Sequence, residues 1–313
     1  MNGLKPYGFV ALLASFGLLV AALVLLDQNA PHAGLWLLMT VSVTVGFGHG
    51  ALDAHLLLRR FPSRPQALAL AAAYLLVVVL LGWALSHAVA GALWLLLGLS
   101  VWHFGEAYAR WDDLRPATRI LTRFVVGGAP VMLPIWLSPG AMADLLKAAW
   151  QGNEAQVWQW LASAWLALFI GWVMLCGIPR YRSARHAWCE LAGVIALNLV
   201  FSPLMAFALY FGFYHSPVHI WRVWRTRPLQ VTASGHATET ASSISPINVI
   251  VTFLVTLLLG AVLLATLNFN AHAFSTEAVS LRWLIVALAA LTLPHLVLIS
   301  LCARLLSAPA GGR

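Results

Sequence analysis

A pair of histidines at helical spacing is the first feature of this sequence that suits chemistry. His215 and His219 stand four positions apart in the segment YHSPVH, residues 214–219. At that spacing both imidazoles project from one face of a helix, where they can bind the same metal ion. Pro217 lies between them and removes one backbone hydrogen bond, so we expect the helix to be disturbed at this point.

Two further histidines are each followed by a carboxylate at helical spacing. Asp53 follows His49 by four positions in the segment HGALD. Glu106 follows His103 by three positions in the segment WHFGE. A carboxylate so placed can accept a hydrogen bond from the second ring nitrogen of a metal-binding histidine, which fixes the tautomer of the ring. Asp53 and Glu106 are therefore candidates for holding such ligands in place.

These histidines belong to a strongly apolar chain. Of its 313 residues, 61% are hydrophobic and 9% are charged, whereas soluble domains are about 45–50% apolar and about 25% charged. The composition excludes a water-soluble globule and predicts an all-α, polytopic membrane protein. The 11 histidines outnumber the 10 acidic residues, which is unusual in a chain that offers titratable side chains few solvated positions.

Apolar segments long enough to cross a bilayer recur along the chain. A hydrocarbon core about 30 Å thick requires about 20 apolar residues in a helix. The clearer predicted spans are Tyr7–Leu26, Leu35–Leu58, Ala67–Leu85, Val89–Tyr108, Val157–Ile178, Leu204–Trp221, Ile247–Leu267 and Leu281–Leu301. Two weaker spans are predicted at Ile120–Leu137, which contains Arg123 and Pro130, and at Ala187–Phe201, which is short. The sequence thus predicts about ten transmembrane helices.

The basic residues support this number of spans. Lys and Arg concentrate in the cytoplasmic loops of membrane proteins, and of the 18 present all but Lys147 and Arg282 fall at one set of helix ends. We predict one integral domain over residues 1–313, in a multi-pass protein of the cell (inner) membrane with both termini cytoplasmic. The net charge of +8 then reports orientation, and no nucleic-acid partner is expected.

The predicted spans place five histidines at one depth. The depth of each histidine is estimated from the number of residues between it and the basic residue at the cytoplasmic end of its helix, at about 1.5 Å per residue. The histidines of this layer come from four helices and are His49, His103, His215, His219 and His295. The others fall near helix ends or in a loop, where water reaches them: His32, His55, His87, His186, His236 and His272. The layer predicts a metal site between helices.

The predicted surroundings of this layer narrow its chemistry. All-imidazole ligands suit iron, zinc, copper or nickel, so the residues alone leave the metal open. The histidines are flanked in sequence by aromatic residues: Phe47, Trp102, Phe104, Tyr108, Phe211, Phe213, Tyr214 and Trp221. A site of this kind inside a bilayer favours redox chemistry on a lipophilic substrate, with Fe(II) activating oxygen. Another metal-dependent redox enzyme, a histidine-lined metal transporter and purely structural interhelical histidines remain open alternatives.

Three other classes of membrane protein fit the sequence less well. A retinal-binding photoreceptor needs an intramembrane lysine for its Schiff base, whereas Lys5 and Lys147 lie near span ends or in a loop. A cytochrome with two haems needs histidine pairs at two depths. A di-iron desaturase needs more histidine boxes than the single HxxxH of this chain.

Four short blocks, in order along the chain, resemble a known family. They are HGALD at 49–53, WHFGE at 102–106, YHSPVH at 214–219 and TLPHL at 292–296. Together they are similar to the motifs of the bacterial and archaeal Brp/Blh family of integral membrane β-carotene 15,15′-dioxygenases. The chain departs from the usual family pattern at Gly48, where proline is common, and at Ala54, where histidine is frequent.

The resemblance implies a function and a ligand set. In this family one Fe(II) is held by four histidines, which fall here on His49, His103, His215 and His219. The enzyme would use O₂ to cleave the central double bond of β-carotene and release two molecules of retinal. His295 belongs to a family block without being a family iron ligand, so we expect it, like Asp53 and Glu106, to surround the ligands. The expected partners are β-carotene, O₂, membrane lipid and a rhodopsin that accepts retinal.

Overall fold

Long runs of Leu, Ala and Val form helices over most of the chain. The computed structural model describes residues 6–30, 32–46, 64–106, 114–150, 155–176, 182–225, 229–231, 237–239 and 277–307. His49, Asp53 and the predicted span Ile247–Leu267 lie outside these residues.

The described residues form eleven α-helices, two π-helical turns and one short hairpin. The helices are α1 Pro6–Asn29, α2 Ala33–Val41, α3 Arg64–Ser86, α4 Val89–Phe104, α5 Pro116–Leu137, α6 Pro139–Trp150, α7 Ala155–Cys176, α8 Arg182–Val200, α9 Pro203–Leu209, α10 Ser216–Arg225 and α11 Glu277–Ser307. One π turn, Ser42–Gly46, continues α2, and the other, Tyr210–His215, joins α9 to α10. The hairpin pairs β1 Leu229–Val231 antiparallel with β2 Ala237–Glu239.

Four helices in the described part of the chain are long and apolar enough to cross a membrane. Their apolar stretches are Ala69–Ser86 in α3, Pro116–Leu137 in α5, Gln156–Leu175 in α7 and Ser280–Ser300 in α11. Two shorter apolar stretches, Leu18–Asn29 and Val89–Phe104, accompany them. The predicted helical membrane class therefore agrees with the structure, while the number of ten crossings stays a prediction.

The predicted weak span at Ile120–Leu137 is the best-buried of these helices. Sixty-one per cent of the apolar window of α5 is buried inside the protein, whereas none of that of α3 is. Helices α4, α7 and α8 pack around α5, so its Arg123 and Pro130 are accommodated by protein rather than by lipid. Polar and helix-breaking residues are tolerated in such a helix because protein rather than lipid surrounds them.

Indole hydrogen bonds join α7 to α5. Trp172 donates from Nε1 to the hydroxyl oxygen of Thr122 at 2.8 Å, and Trp165 donates to the carbonyl oxygen of Val125 at 3.1 Å. Both tryptophans are buried. A buried indole requires such a partner, so these bonds fix the contact between the two helices.

Asp27 ties α1 to the start of α9. Its carboxylate accepts hydrogen bonds from the backbone N–H and the hydroxyl of Ser202, both at 2.6 Å. Ser202 directly precedes the first helical residue, Pro203. The N–H groups at the start of a helix have no partner within the helix, so a carboxylate at this position stabilises α9 and anchors α1 beside it.

Two elements differ from the sequence prediction. Lys147, which lies between predicted spans, is part of α6, a 12-residue helix whose first residue is Pro139. Helix α10 continues beyond Trp221, the last residue of a predicted span, to Arg225, and the β1–β2 hairpin follows it. Neither element is long enough or apolar enough to resemble a span.

Candidate metal centre

Helix α4 carries His103 into the interior of the bundle. His103 lies in the last turn of the helix, and its side chain is 6% exposed. The α-helix ends at Phe104, and Gly105 and Glu106 continue the chain in a tighter helical turn. Close contact with α5 holds this end, since a Cβ added to Gly105 would collide with the carbonyl oxygen of Arg123. His103 is thus fixed at the crossing of two helices.

The π turn Tyr210–His215 and helix α10 supply the motif pair. His215 is the last residue of the π turn, and His219 lies one turn further in α10. Their ring centroids are 6.3 Å apart with nearly parallel planes, so both rings project to the same side as expected. The disturbance predicted from Pro217 takes the form of the π turn that ends two residues before it.

Helix α11 brings His295 to the same place. His295 follows Pro294 inside this 31-residue helix and is 3% exposed. Its ring centroid lies 5.1 Å from that of His103 and 5.2 Å from that of His219. A residue from the C-terminal part of the chain therefore meets two residues that are far from it in sequence.

The four described histidines of the predicted layer lie together. His103 is central, with its ring centroid 4.9 Å from that of His215 and 5.5 Å from that of His219. One ring nitrogen from each of His103, His219 and His295 lies within 4.8 Å of the others. The structure thus brings these four residues together, while their depth in the membrane and their assignment as metal ligands stay predictions.

The chemistry of this donor set fits a transition metal. Imidazole nitrogen is a preferred ligand of iron, copper, zinc and nickel. Zinc binds imidazole nitrogen at about 2 Å, so two ligands of one such ion stand at most about 4 Å apart. Nitrogens within 4.8 Å of one another therefore need only a small side-chain movement to share an ion.

Aromatic rings cover one side of the histidine cluster. The ring centroid of Phe104 lies 4.5 Å from that of His215, and Phe211 stacks on the same imidazole at 6.2 Å. Trp102 and Phe213, also predicted to flank the site, are instead 43% and 68% exposed. Each of these two is adjacent in sequence to a residue that faces inward, and consecutive residues of a helix point in different directions.

Arg123 holds Trp102 on the outer side of α4. Its guanidinium carbon lies 3.3 Å from the centroid of the indole ring, and its Nε and Nη2 donate to the carbonyl oxygen of Trp102 at 3.3 and 3.2 Å. An arginine inside the bundle is thereby matched to a ring face and to the carbonyl end of a helix, both of which attract a cation.

Sequence reasoning missed Glu190, which anchors the π turn. Its carboxylate accepts hydrogen bonds from the hydroxyl groups of Tyr210 at 2.8 Å and Tyr214 at 3.1 Å. Glu190 lies in α8, within the predicted weak span, and an acidic residue inside a span was the available signal. Its place in the site follows only from the packing of α8 against α9.

The two π turns in the described part of the chain contact each other beside the cluster. A Cβ added to Gly212 would lie 2.7 Å from Cγ1 of Val41, and one added to Gly46 would lie 3.0 Å from Cε1 of Phe211. Glycine at both positions lets the turns approach closely. The turn Ser42–Gly46 precedes His49 by three residues.

The remaining predicted residues occupy varied positions. Glu106 is half-buried in the turn after α4, and its support of His103 stays a prediction. His49 and Asp53 lie outside the described residues, as do Phe47 and Tyr108. Of the histidines expected near water, His32, His87 and His186 are exposed, as predicted.

A comparison with protein families decides the affiliation of the chain. The profile of the family described as Beta-carotene 15,15'-dioxygenase matches residues 37–303. The chain belongs to this family. It is a carotenoid-cleaving dioxygenase. The similarity extends to a curated protein named Beta-carotene 15,15'-dioxygenase, from an uncultured marine bacterium 66A03, which is 28% identical over 275 residues. That alignment covers 84% of this chain and 92% of the relative. No solved structure gives a significant match.

All four histidine blocks of the dioxygenase lie inside the matched range. The first begins at His49 and the last ends at Leu296, within residues 37–303. The resemblance that was inferred from these blocks is therefore confirmed at the level of the family.

Proposed function

We propose that this dioxygenase cleaves the central double bond of β-carotene with O₂ and releases two molecules of retinal. The observation that carries the proposal is the convergence of His103, His215, His219 and His295 in a chain of this family. In the balanced reaction the carbon–carbon double bond breaks, and each half of the polyene receives one atom of O₂ as an aldehyde oxygen.

Fe²⁺ is the proposed metal, with His49, His103, His215 and His219 as ligands. The all-imidazole donors and a reaction with O₂ both suit iron. His49 is included because it begins the first of the four blocks that resemble the family, and it lies outside the described residues. When bound, the iron would supply the activation of O₂.

The side chains of the protein would position the polyene and exclude water. Phe104 and Phe211 lie against His215 and offer ring faces that can pack along a conjugated chain and stabilise positive charge on it. The reaction transfers no proton, so no acid or base is required. Asp53 and Glu106 are proposed to accept hydrogen bonds from ligating histidines.

The proposed setting is the cell (inner) membrane, with about ten spans in one domain and both termini in the cytoplasm. The four long apolar helices support this arrangement, and α3 presents an apolar surface of which none is buried in the protein. β-Carotene would arrive through the surrounding lipid. Retinal would leave by the same route to an accepting rhodopsin.

The test is to express the chain in bacterial cells that make β-carotene. We expect the orange colour to fade and retinal to accumulate, and we expect an iron chelator in the medium to suppress both changes. A His219→Ala variant should leave the pigment intact, whereas His87→Ala, at an exposed histidine outside the cluster, should behave as the parent chain. Unchanged carotene in the presence of folded, iron-loaded protein would refute the proposal.

A further inference from the structure

His295 lies as close to the centre of the cluster as the predicted ligands do. Its ring centroid is 5.1 Å from that of His103 and 5.2 Å from that of His219. In comparison, the rings of the predicted pair His215 and His219 are 6.3 Å apart. The separations between ring centroids therefore give no reason to exclude His295 from the ligand set.

The separations between ring nitrogens favour His295 more strongly. Among the described residues, His103, His219 and His295 each offer a ring nitrogen that lies within 4.8 Å of the other two. They come from α4, α10 and α11, so the nitrogens converge from three helices. A ring nitrogen that only bonded one neighbour would need to approach that neighbour alone, whereas the nitrogen of His295 is near two.

The burial of His295 has the same implication. The side chain is 3% exposed, and its neighbour Leu296 is 5% exposed. A polar ring withdrawn from water and lipid needs compensation from a specific partner. Two of its neighbours are the imidazoles of His103 and His219, which can share a metal ion with it through their ring nitrogens.

We infer that His295 is a direct ligand of the metal bound by His103 and His219. This rests on the metal site of the proposed function and adds to it a ligand from the C-terminal helix. It does not remove His215, whose ring centroid lies 4.9 Å from that of His103.

A titration with Co²⁺ tests the inference directly. The protein is purified in detergent without metal, and the parent chain is compared with His295→Ala, His295→Gln and the control His87→Ala. Loss of a residue that only supports a ligand weakens metal binding by about 10–100-fold. We expect both His295 variants to weaken Co²⁺ binding by more than about 100-fold and to change the visible spectrum of any Co²⁺ that binds. His87→Ala should match the parent.

Thermal unfolding of the same samples separates a ligand from a structural residue. A metal that binds only the folded protein raises its unfolding temperature. The metal-free forms of the parent and His295→Gln should unfold at similar temperatures, and Co²⁺ should raise only that of the parent. If His295→Ala fails to fold, His295→Gln carries the test, because its side chain is polar and of similar size.

Binding within about 100-fold of the parent, with an unchanged Co²⁺ spectrum, would overturn the inference and leave His295 as a supporting residue. Failure of the proposed function appears differently. If the parent binds Co²⁺ through His295 but yields no retinal with iron, the function is wrong and the ligand assignment holds. If the parent yields retinal and the His295 variants bind Co²⁺ as the parent does, the proposed function holds and the assignment of His295 as a ligand is wrong.

Discussion

His103 illustrates how single residues of this enzyme depend on their neighbours. Three imidazoles lie within 5.5 Å of its ring, measured between centroids, and Phe104 covers the adjacent His215. Side chains that are packed this closely change position only together. Mutations beside the histidines should therefore affect metal binding even where the mutated residue touches no metal.

Glu190 gives a testable case at the residue scale. Glu190→Ala removes the acceptor of the hydroxyl groups of Tyr210 and Tyr214, and the first of these tyrosines is 2% exposed. We expect the free energy of unfolding to fall by about 1–3 kcal/mol and iron affinity to fall by about tenfold or more. Denaturant unfolding in detergent and metal titration measure the two effects.

Two matched variants control for this prediction. Glu190→Gln keeps one oxygen as an acceptor and should fall between the parent and Glu190→Ala in both measurements. Tyr214→Phe removes only the bond of the more exposed tyrosine, which is 40% exposed, and should cost less. If Glu190→Ala unfolds and binds iron as the parent does, the carboxylate does not anchor the π turn.

At the scale of elements, the close crossing of α4 and α5 positions His103. A Cβ added to Gly127 would collide with the carbonyl oxygen of Val101, and its next neighbours would be the backbone atoms of Gly105. Backbone cannot move aside as the end of a side chain can. The small residues thus set the separation of the two helices and the placement of the histidine at the end of α4.

We expect Gly127→Ala to destabilise the fold by about 1–3 kcal/mol, as overpacking typically does, and to lower the iron content of the purified protein. Gly98→Ala is the matched control, since it lies in α4 with no atom within 4 Å of an added Cβ. That control should be neutral or more stable by up to about 1 kcal/mol, because alanine favours helix. Equal stability of the two variants would show that the crossing is not tightly packed.

The helices that bear the histidines could be predicted because hydropathy and the distribution of Lys and Arg report directly on spans. Depth along those helices then brought His103, His215, His219 and His295 into one layer, and the described structure brings their rings together. Counting residues along a helix estimates the depth of each residue but not the direction in which its side chain points around the helix axis. It therefore could not show that Trp102 and Phe213 point outward or which ring nitrogens converge.

Other features depended on tertiary contacts that no local pattern encodes. The π turn Tyr210–His215 is compatible with Pro217, but its position also depends on Gly212 meeting Val41 of α2. The bonds from Tyr210 and Tyr214 to Glu190 join residues 20 and 24 positions apart. Such pairs become visible only when the helices are packed.

At the scale of the whole molecule, the described helices present large apolar side chains on the outside and keep the histidines of the cluster inside. The outer helix α3 exposes Leu75, Val79 and Trp83, which are 62%, 65% and 68% exposed and suit a lipid environment. The inner helices α4 and α11 carry His103 and His295, which are almost completely buried. A lipophilic substrate dissolved in the surrounding bilayer can thus reach the surface of the helical bundle without leaving an apolar environment. The histidines lie inside that bundle.

Retinal formation by purified protein supplied with Fe²⁺, O₂ and β-carotene in detergent tests the proposed reaction most directly. We predict two molecules of retinal for each β-carotene consumed by the parent chain and by His87→Ala, and no measurable retinal from His103→Ala. Retinal formation by His103→Ala at the rate of the parent would contradict this prediction. So would intact β-carotene after incubation with the iron-loaded parent, or products of unequal length.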